Sequence, residues 1–309
     1  MKAIQFDRFG GPEVLTLADV PKPVAGPGEV VVDIHAASIN PADWKGRAGI
    51  NENAKQTSFP HIPGRDFSGI ISAVGSGVSD FKIGEAVFGV VATNTESTYC
   101  EAVALPTGMI GRKPTNVSHV EMSAIALGAL TALIALEDTA KLKSSETILI
   151  QGGAGGVGGI AVQIARHIGA HVIATARSTN HDYVKGFGAD EMIDYYTSDF
   201  TKIGTKCDVV FDTVGGAVQS KSALVLKPNG RLVFVARGES DFMPPAGVQM
   251  LRPNVVRDRP HMDRIAELVG SGVIKPPAIQ TMPLEQAGAA QEISKTGHVR
   301  GKIVLTVRT

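Results

Sequence analysis

The stretch from Ile148 to Ala165, ILIQGGAGGVGGIAVQIA, sets six glycines between two apolar runs. Glycine loses more chain entropy on folding than any other residue, so such a cluster weakens a fold unless something needs the room. Gly153, Gly155 and Gly158 fit G-x-G-x-x-G, following an apolar strand pattern and opening a helical one. In that setting the first glycine allows a tight turn and the second lets a pyrophosphate approach the backbone. The third lets helix and strand touch. Gly156 and Val157 lie in the first helical turn, where free N–H groups and the helix dipole favour a phosphate. The pattern reads as dinucleotide binding, against the alternative of a turn that is merely tight.

A second group bears on which dinucleotide. The next strand ends Thr175-Ala176-Arg177-Ser178, without the carboxylate that an NAD-binding unit uses to hold both ribose hydroxyls. Arg177 can pair with a 2′-phosphate instead, which selects NADPH; the alternative is a solvated arginine at a strand end. Tyr195 comes after a short third strand and either covers the adenine or its phosphate or is a surface tyrosine. DTVGG, Asp212 to Gly216, ends the fourth strand at the carboxyl edge where such sheets bind ligands. Val214 and Gly215 would border the cofactor there, as would Val235 and Ala236 after the fifth strand.

These groups need a scaffold, and the chain has the material for one. Its 309 residues are 43% hydrophobic and 19% charged with zero net charge, a globular composition long enough for about two domains. A balanced charge without a long basic run gives no electrostatic reason to expect nucleic acid or a membrane as partner. The N-terminus alternates like a strand and lacks the apolar core of a signal peptide. The most apolar stretch, Met122 to Leu136, falls short of the ~20 residues that span a bilayer and reads as a buried helix. Cys100 and Cys207 are too few for a disulfide framework, so a reducing cytoplasm is the expected location.

The texture changes along the chain. Residues 1–117 show short apolar runs punctuated by Gly and Pro, a β-rich pattern whose FGGPE turn joins two strands as a hairpin. Residues 118–255 alternate helix and apolar strand, with a helix expected from Gln219 to Leu226, which implies a parallel sheet covered on both faces. Residues 256–309 return to helix, strand, helix and strand. They are too few for a third domain and are expected to complete the first. The fold class is therefore α/β, a doubly wound parallel-sheet domain inserted into a β-rich one.

GAGGVGGIAVQIARHIGA, with GRDFSGIISAVGSGV before it and GHVRGKIVLTV at the end, resembles the medium-chain dehydrogenase/reductase superfamily. GGAGGVG with the downstream Gln163 is similar to its quinone oxidoreductase (zeta-crystallin-like) branch, and the resemblance covers essentially the whole chain. It implies a GroES-like catalytic domain, an inserted Rossmann domain, NADPH in a cleft between them, and a homodimer pairing the Rossmann sheets edge to edge. Zinc-dependent relatives place ligands at positions that here hold Asn40, Arg65-Asp66 and Leu127. An amide, a guanidinium and an isobutyl group do not make a zinc site, and two cysteines do not make a structural zinc loop. His61 and His119 beside turns, and His167 and His181 on solvent faces, read as non-ligands, so no metal is expected.

The resemblance places Asn40 and the segment through Asp43 beside the nicotinamide, with Thr131 near it. Asn40 can donate from its amide, Arg47 offers charge, and Lys45 is a candidate proton donor. The competing readings are that Asp43 caps a short helix, Trp44 simply packs, and Thr131 is structural. Trp44 stands where many relatives have a tyrosine and has no acidic proton, so water is an alternative proton source. The resemblance thus implies an NADPH-dependent reductase of quinones or activated α,β-unsaturated carbonyls. The alternatives are an enoyl-thioester reductase on the same scaffold and a non-catalytic NADPH-binding protein. The loops from Ala48 to Phe59 and from Gly238 to Arg252, expected to line the cleft, carry no readable code for the substrate.

Overall fold

Apolar runs cut by glycine and proline become strands in the first third of the chain. The computed structural model describes every residue except 52, 53, 93, 94, 96 and 309, so the Ala48–Phe59 loop lies partly outside the described residues. β1 (Lys2–Gln5) and β2 (Thr16–Asp19) pair antiparallel across the FGGPE turn. Next come β3 (Glu29–Ser38), α1 (Pro41–Arg47), β4 (Asp66–Val74), β5 (Ala86–Val90), β6 (Ala102–Pro106) and β7 (Ile110–Arg112). Helix and strand then alternate: α2 (His119–Leu133), β8 (Thr147–Gln151), α3 (Gly156–Ile168), β9 (His171–Ala176), α4 (His181–Lys185), β10 (Glu191–Asp194) and β11 (Cys207–Asp212). The series continues through α5 (Ala217–Ser222), β12 (Leu226–Phe234), β13 (Gln249–Leu251), α6 (Arg259–Gly270), β14 (Ile279–Pro283), α7 (Ala287–Lys295) and β15 (Lys302–Thr306).

The chain divides into two compact units. Unit 1 comprises Met1–Leu127, Arg257–Gly270 and Pro276–Thr309; unit 2 comprises Gly128–Val256 and Ser271–Lys275. The first boundary thus falls at Leu127 rather than at residue 117, inside α2. The sequence changes texture where that helix begins, but its packing partners change midway. Ala124 packs with Ala36 and Val304, whereas a side chain at Gly128 would meet the Gly156 carbonyl at 3.0 Å. The return of residues 271–275 to unit 2 also departs from the sequence reading. Gln163 explains it: its amide donates to the Lys275 carbonyl (3.2 Å) and accepts from the Lys275 N–H (2.8 Å).

Unit 1 carries a mixed sheet ordered β14-β15-β3-β4-β5-β7, with β6 also on β3. β15 runs antiparallel to β3, Val304 opposite Ser38, so the C-terminal strand does complete the N-terminal sheet. Val30, Val32 and Ile34 of β3 alternate into a sealed core with Phe67, Ile71 and Leu305. Each such side chain contributes about 1.5–3 kcal/mol of burial.

Unit 2 is a six-stranded parallel sheet ordered β10-β9-β8-β11-β12-β13. Counted from β8 this is 3-2-1-4-5-6, the doubly wound order whose direction reverses between the first and fourth strands. α3 buries Ile160, Ala161, Ile164 and Ala165, which recur at helical spacing, and half-buries Val157 and Ile168 on the same stripe. The helix expected at Gln219–Leu226 is α5 plus a 3-10 turn over Ala223–Val225, because Leu226 already begins β12. α2 and its π-helical continuation, Ile134–Thr139, are long and apolar enough to cross a membrane, but 78% of that window is buried inside the protein.

Candidate active site

In unit 2 the glycine turn leaves β8 through Gly152, whose φ is +76°. Gly152 rather than Gly153 is therefore the residue that needs glycine's left-handed conformation. Gly153 sits against the next strand: its N–H donates to the Thr175 carbonyl (2.9 Å), and a Cβ would meet Ala174 and Val184 at 3.1 Å. A Cβ on Gly155 would find only the Gly152 carbonyl, at 3.4 Å, so that side of the turn is open. On Gly158 it would lie 2.2 Å from the same oxygen, so helix and turn touch there. Gly156 and Val157 open α3, where N–H groups lack intrahelical acceptors.

Thr175 serves this turn from behind. It is buried, its hydroxyl donates to Gln151 Oε1 (2.8 Å), and it accepts the Gly152 N–H (3.1 Å). Its side chain is thus committed to the turn and not offered to a ligand. Arg177 and Ser178 are exposed after β9, and Arg177 Nε donates to the Tyr195 hydroxyl (3.1 Å) beyond β10. Tyr195 keeps 45% of its surface exposed. At the carboxyl edge of β11, Asp212 Oδ1 accepts the N–H groups of Val214 (2.8 Å) and Gly215 (3.0 Å). Gly215 has φ +78°, and a Cβ there would lie 2.9 Å from Ala236 Cβ, so these residues and Val235-Ala236 form one edge. Thr131 is buried on α2 within the same unit.

In unit 1 the local sequence SINPADW builds a capped helix. Pro41 supplies a fixed φ at the first position. The Asn40 N–H donates to Asp43 Oδ2 (2.7 Å), and the Asp43 N–H donates back to the Asn40 carbonyl (2.9 Å). Asp43 is therefore a capping residue as well as a site candidate. The Tyr99 hydroxyl also donates to Asp43 Oδ2 (2.7 Å), and Arg65 Nε lies 3.8 Å from Oδ1. Burial pushes the Asp43 carboxyl up to about 6, opposed by Arg65, the Tyr99 hydroxyl and the Asn40 N–H. Arg47 is 2% exposed and donates to Glu292 of α7 (2.7 Å), so its charge is already neutralised. Lys45 lies on the exposed side, its ammonium 5.5 Å from the centre of the Trp44 ring.

Asn40 itself is clamped. Its amide donates to Asp66 Oδ1 (2.9 Å) and to the Ser38 carbonyl (3.2 Å), and its oxygen accepts from Lys302 Nζ (2.7 Å). Asp66 further accepts the Ser38 hydroxyl (2.8 Å) and the Leu127 N–H (3.3 Å), while Lys302 also donates to the Ile39 carbonyl (2.8 Å). Burial raises the Asp66 pKa and lowers that of Lys302. Three donors converging on Asp66 and two acceptors on Lys302 nevertheless form the pattern of a carboxylate and an ammonium. Both amide protons of Asn40 are engaged, so donation to a substrate oxygen requires one of these bonds to give way.

Sequence reasoning misses Lys302. The available signal is its strand position: in KIVLT it shares a face with Val304, which is fully buried.

The likeness to known proteins spans both units. Residues 26–143 match the alcohol dehydrogenase GroES-like domain and residues 187–305 a zinc-binding dehydrogenase domain. A quinone oxidoreductase from Coxiella burnetii superposes with a TM-score of 0.91 at 35% identity, over 100% of this chain and 99% of that one. The Escherichia coli quinone oxidoreductase complexed with NADPH gives 0.88 at 27% identity, over 99% of this chain and 100% of that one. A 2-methylene-furan-3-one reductase of Solanum lycopersicum is 32% identical, over 99% of this chain and 79% of that protein. The chain belongs to the quinone oxidoreductase branch of the medium-chain dehydrogenase/reductase superfamily.

The units are accordingly its GroES-like and Rossmann folds, as the sequence predicts. Of Asn40, Arg65, Asp66 and Leu127, the positions where the resemblance of this quinone oxidoreductase family member sets zinc ligands, Asp66 alone carries a side chain of a zinc-ligand type. Asn40, Asp66 and Leu127 bond to one another, and among the described residues no three His, Cys, Asp or Glu side chains gather to hold an ion. His119 Nδ1 instead lies 2.8 Å from Ser68 Oγ, and its ring stacks on His35 at 4.6 Å.

Proposed function

We propose that the protein is an NADPH-dependent, zinc-independent reductase of quinones or activated α,β-unsaturated carbonyls. The observation that carries the reading is the Ser38–Asp66–Asn40–Lys302 network, whose members satisfy one another where a Lewis acid would need open ligands. Without that polarising ion the substrate must already be activated. The names of the relatives, which include quinone oxidoreductases and a methylene-furanone reductase, support the same substrate class.

The residues present fit a dinucleotide phosphate. Gly155 leaves the turn open, Gly156 and Val157 begin the helix behind it, and Arg177 with Tyr195 forms an exposed donor pair for a 2′-phosphate. Val214, Gly215, Val235 and Ala236 would border the cofactor at the sheet edge. The reduced nicotinamide would supply a hydride. In unit 1, Asn40 reaches a developing oxyanion by yielding its longer bond, that to the Ser38 carbonyl. Lys45, exposed beside Trp44, or water brings the proton. The same reading takes the working form as a cytoplasmic homodimer, which gel filtration and fractionation check.

The test is a titration with both cofactors, then an activity panel. Expected are tighter binding of NADPH than NADH, oxidation of NADPH by enones or quinones, and activity that survives a strong chelator. Equal affinity for the two cofactors would remove the Arg177 assignment. Stoichiometric zinc whose removal abolishes activity would overturn the zinc-independent reading, and ordinary alcohol dehydrogenase activity the substrate class.

A further inference from the structure

Asn40 poses a problem of orientation. The oxygen and nitrogen of a side-chain amide are nearly the same size, so shape alone does not decide which way an asparagine points. Here the two neighbours are not interchangeable. An ammonium donates only and a carboxylate accepts only. With Lys302 Nζ 2.7 Å from Oδ1 and Asp66 Oδ1 2.9 Å from Nδ2, one orientation satisfies every group, and the flipped amide would set N–H against N–H and oxygen against oxygen.

The pair is also an expensive way to fill the space. Lys302 and Asp66 are 7% and 0% exposed and are bridged by the Asn40 amide, and buried opposite charges often add nothing to stability over apolar residues of similar volume. Lys302 nonetheless opens a strand whose next three residues are apolar and reaches across from β15 to the loop before α1, bonding two consecutive residues, Ile39 and Asn40. Asn40 then passes the constraint on through its backbone, which holds Asp43 by two hydrogen bonds. We infer that Lys302 is a positioning residue: with Asp66 it fixes the Asn40 amide in a single orientation and so sets the start of α1 for the reaction. The inference rests on the proposed role of Asn40 at the reacting bond.

The experiment removes the charges together. Asp66→Asn/Lys302→Met leaves no unpaired buried charge, so the protein is expected to keep a parental melting temperature. Specific asparagine ¹⁵N labelling of the full chain should show one Asn40 side-chain ¹⁵N resonance, shared by its two inequivalent protons, in the parent and two, or one broadened, in the pair variant. With an enone as substrate, kcat should fall about 10- to 100-fold while the NADPH Kd stays within twofold. Lys302→Arg in the parent, which keeps a donor-only cation with Asp66 in place, should keep the single signal. Should the methionine variant not fold, Asp66→Asn/Lys302→Gln is its polar substitute with the same outcomes. A single unshifted Asn40 signal in the pair variant, or parental kcat, overturns the inference. If the parent reduces no enone or quinone, the proposed function fails on its own, and the amide signal still decides the positioning claim.

Discussion

The glycine turn of unit 2 and the clamp around Asn40 in unit 1 are built on opposite plans. The turn works by leaving atoms out: Gly152 bends left-handed, Gly155 leaves one side open, and Gly158 lets the helix touch the turn. The clamp works by putting groups in, with a carboxylate, an ammonium, a hydroxyl and an amide satisfying one another where little solvent reaches. A site made of missing side chains tolerates no addition. A site made of complementary charges tolerates no single removal.

That contrast can be broken most forcefully at Lys302. Lys302→Met alone leaves the Asp66 carboxylate buried without its cation and should cost about 3–5 kcal/mol of stability, read by urea denaturation. A loss below about 1 kcal/mol would mean the pair behaves like a surface bridge. Next is Gly158→Ala, whose Cβ would fall 2.2 Å from a backbone oxygen. Overpacking of this kind should cost about 1–3 kcal/mol and weaken NADPH binding. Unchanged melting and affinity would show that the turn gives way freely.

A third variant sharpens the comparison without touching the fold. Arg177→Ala should weaken NADPH about 10- to 100-fold, the worth of one charge-assisted bond, and leave NADH nearly unchanged. Equal losses for both cofactors would mean that Arg177 serves the turn rather than a 2′-phosphate.

The smallest effect is a pH dependence with two opposing parts. The Asp43 carboxyl rises from 3.8 to about 6 on folding, so its contribution is full below pH 3.8 and is lost as pH rises through 6. Burial pushes His119 the other way, from 6.5 to about 4; its contribution is present above pH 6.5 and lost as pH falls through 4. Between pH 4 and 6 the two slopes offset each other. His119→Gln should make stability fall more steeply, or rise less, between pH 4 and 6 than in the parent, measured by denaturation at several pH values; a slope equal to the parent's would contradict the His119 assignment.

The two regions also differ in how far they can be read from the chain. The turn is local, and each glycine answers a backbone requirement within a few residues, so its motif and its strand and helix are visible in eighteen letters. Even there, the left-handed residue lies one position before the motif's first glycine, and Thr175 supports the turn rather than a ligand. The clamp joins Asn40 to Asp66 across 26 residues and to Lys302 across 262. The strand period sets Lys302 on the face of Val304 but names no partner so far away in the chain, and an isolated lysine at a strand start normally reads as solvated. Arg47 misleads for the same reason: Glu292 is 245 residues away.

The clasp of Gln163 on Lys275 bears on recombination. A chimera that exchanges residues 128–256 between two relatives would separate that glutamine from the short segment its amide recognises. The graft would carry a buried amide with the Gly159 carbonyl as its partner inside the graft and its other two partners, the carbonyl and N–H of residue 275, on a loop from another parent. The exchangeable module is therefore discontinuous, and a breeder of cofactor specificity should transplant residues 271–275 along with the larger piece.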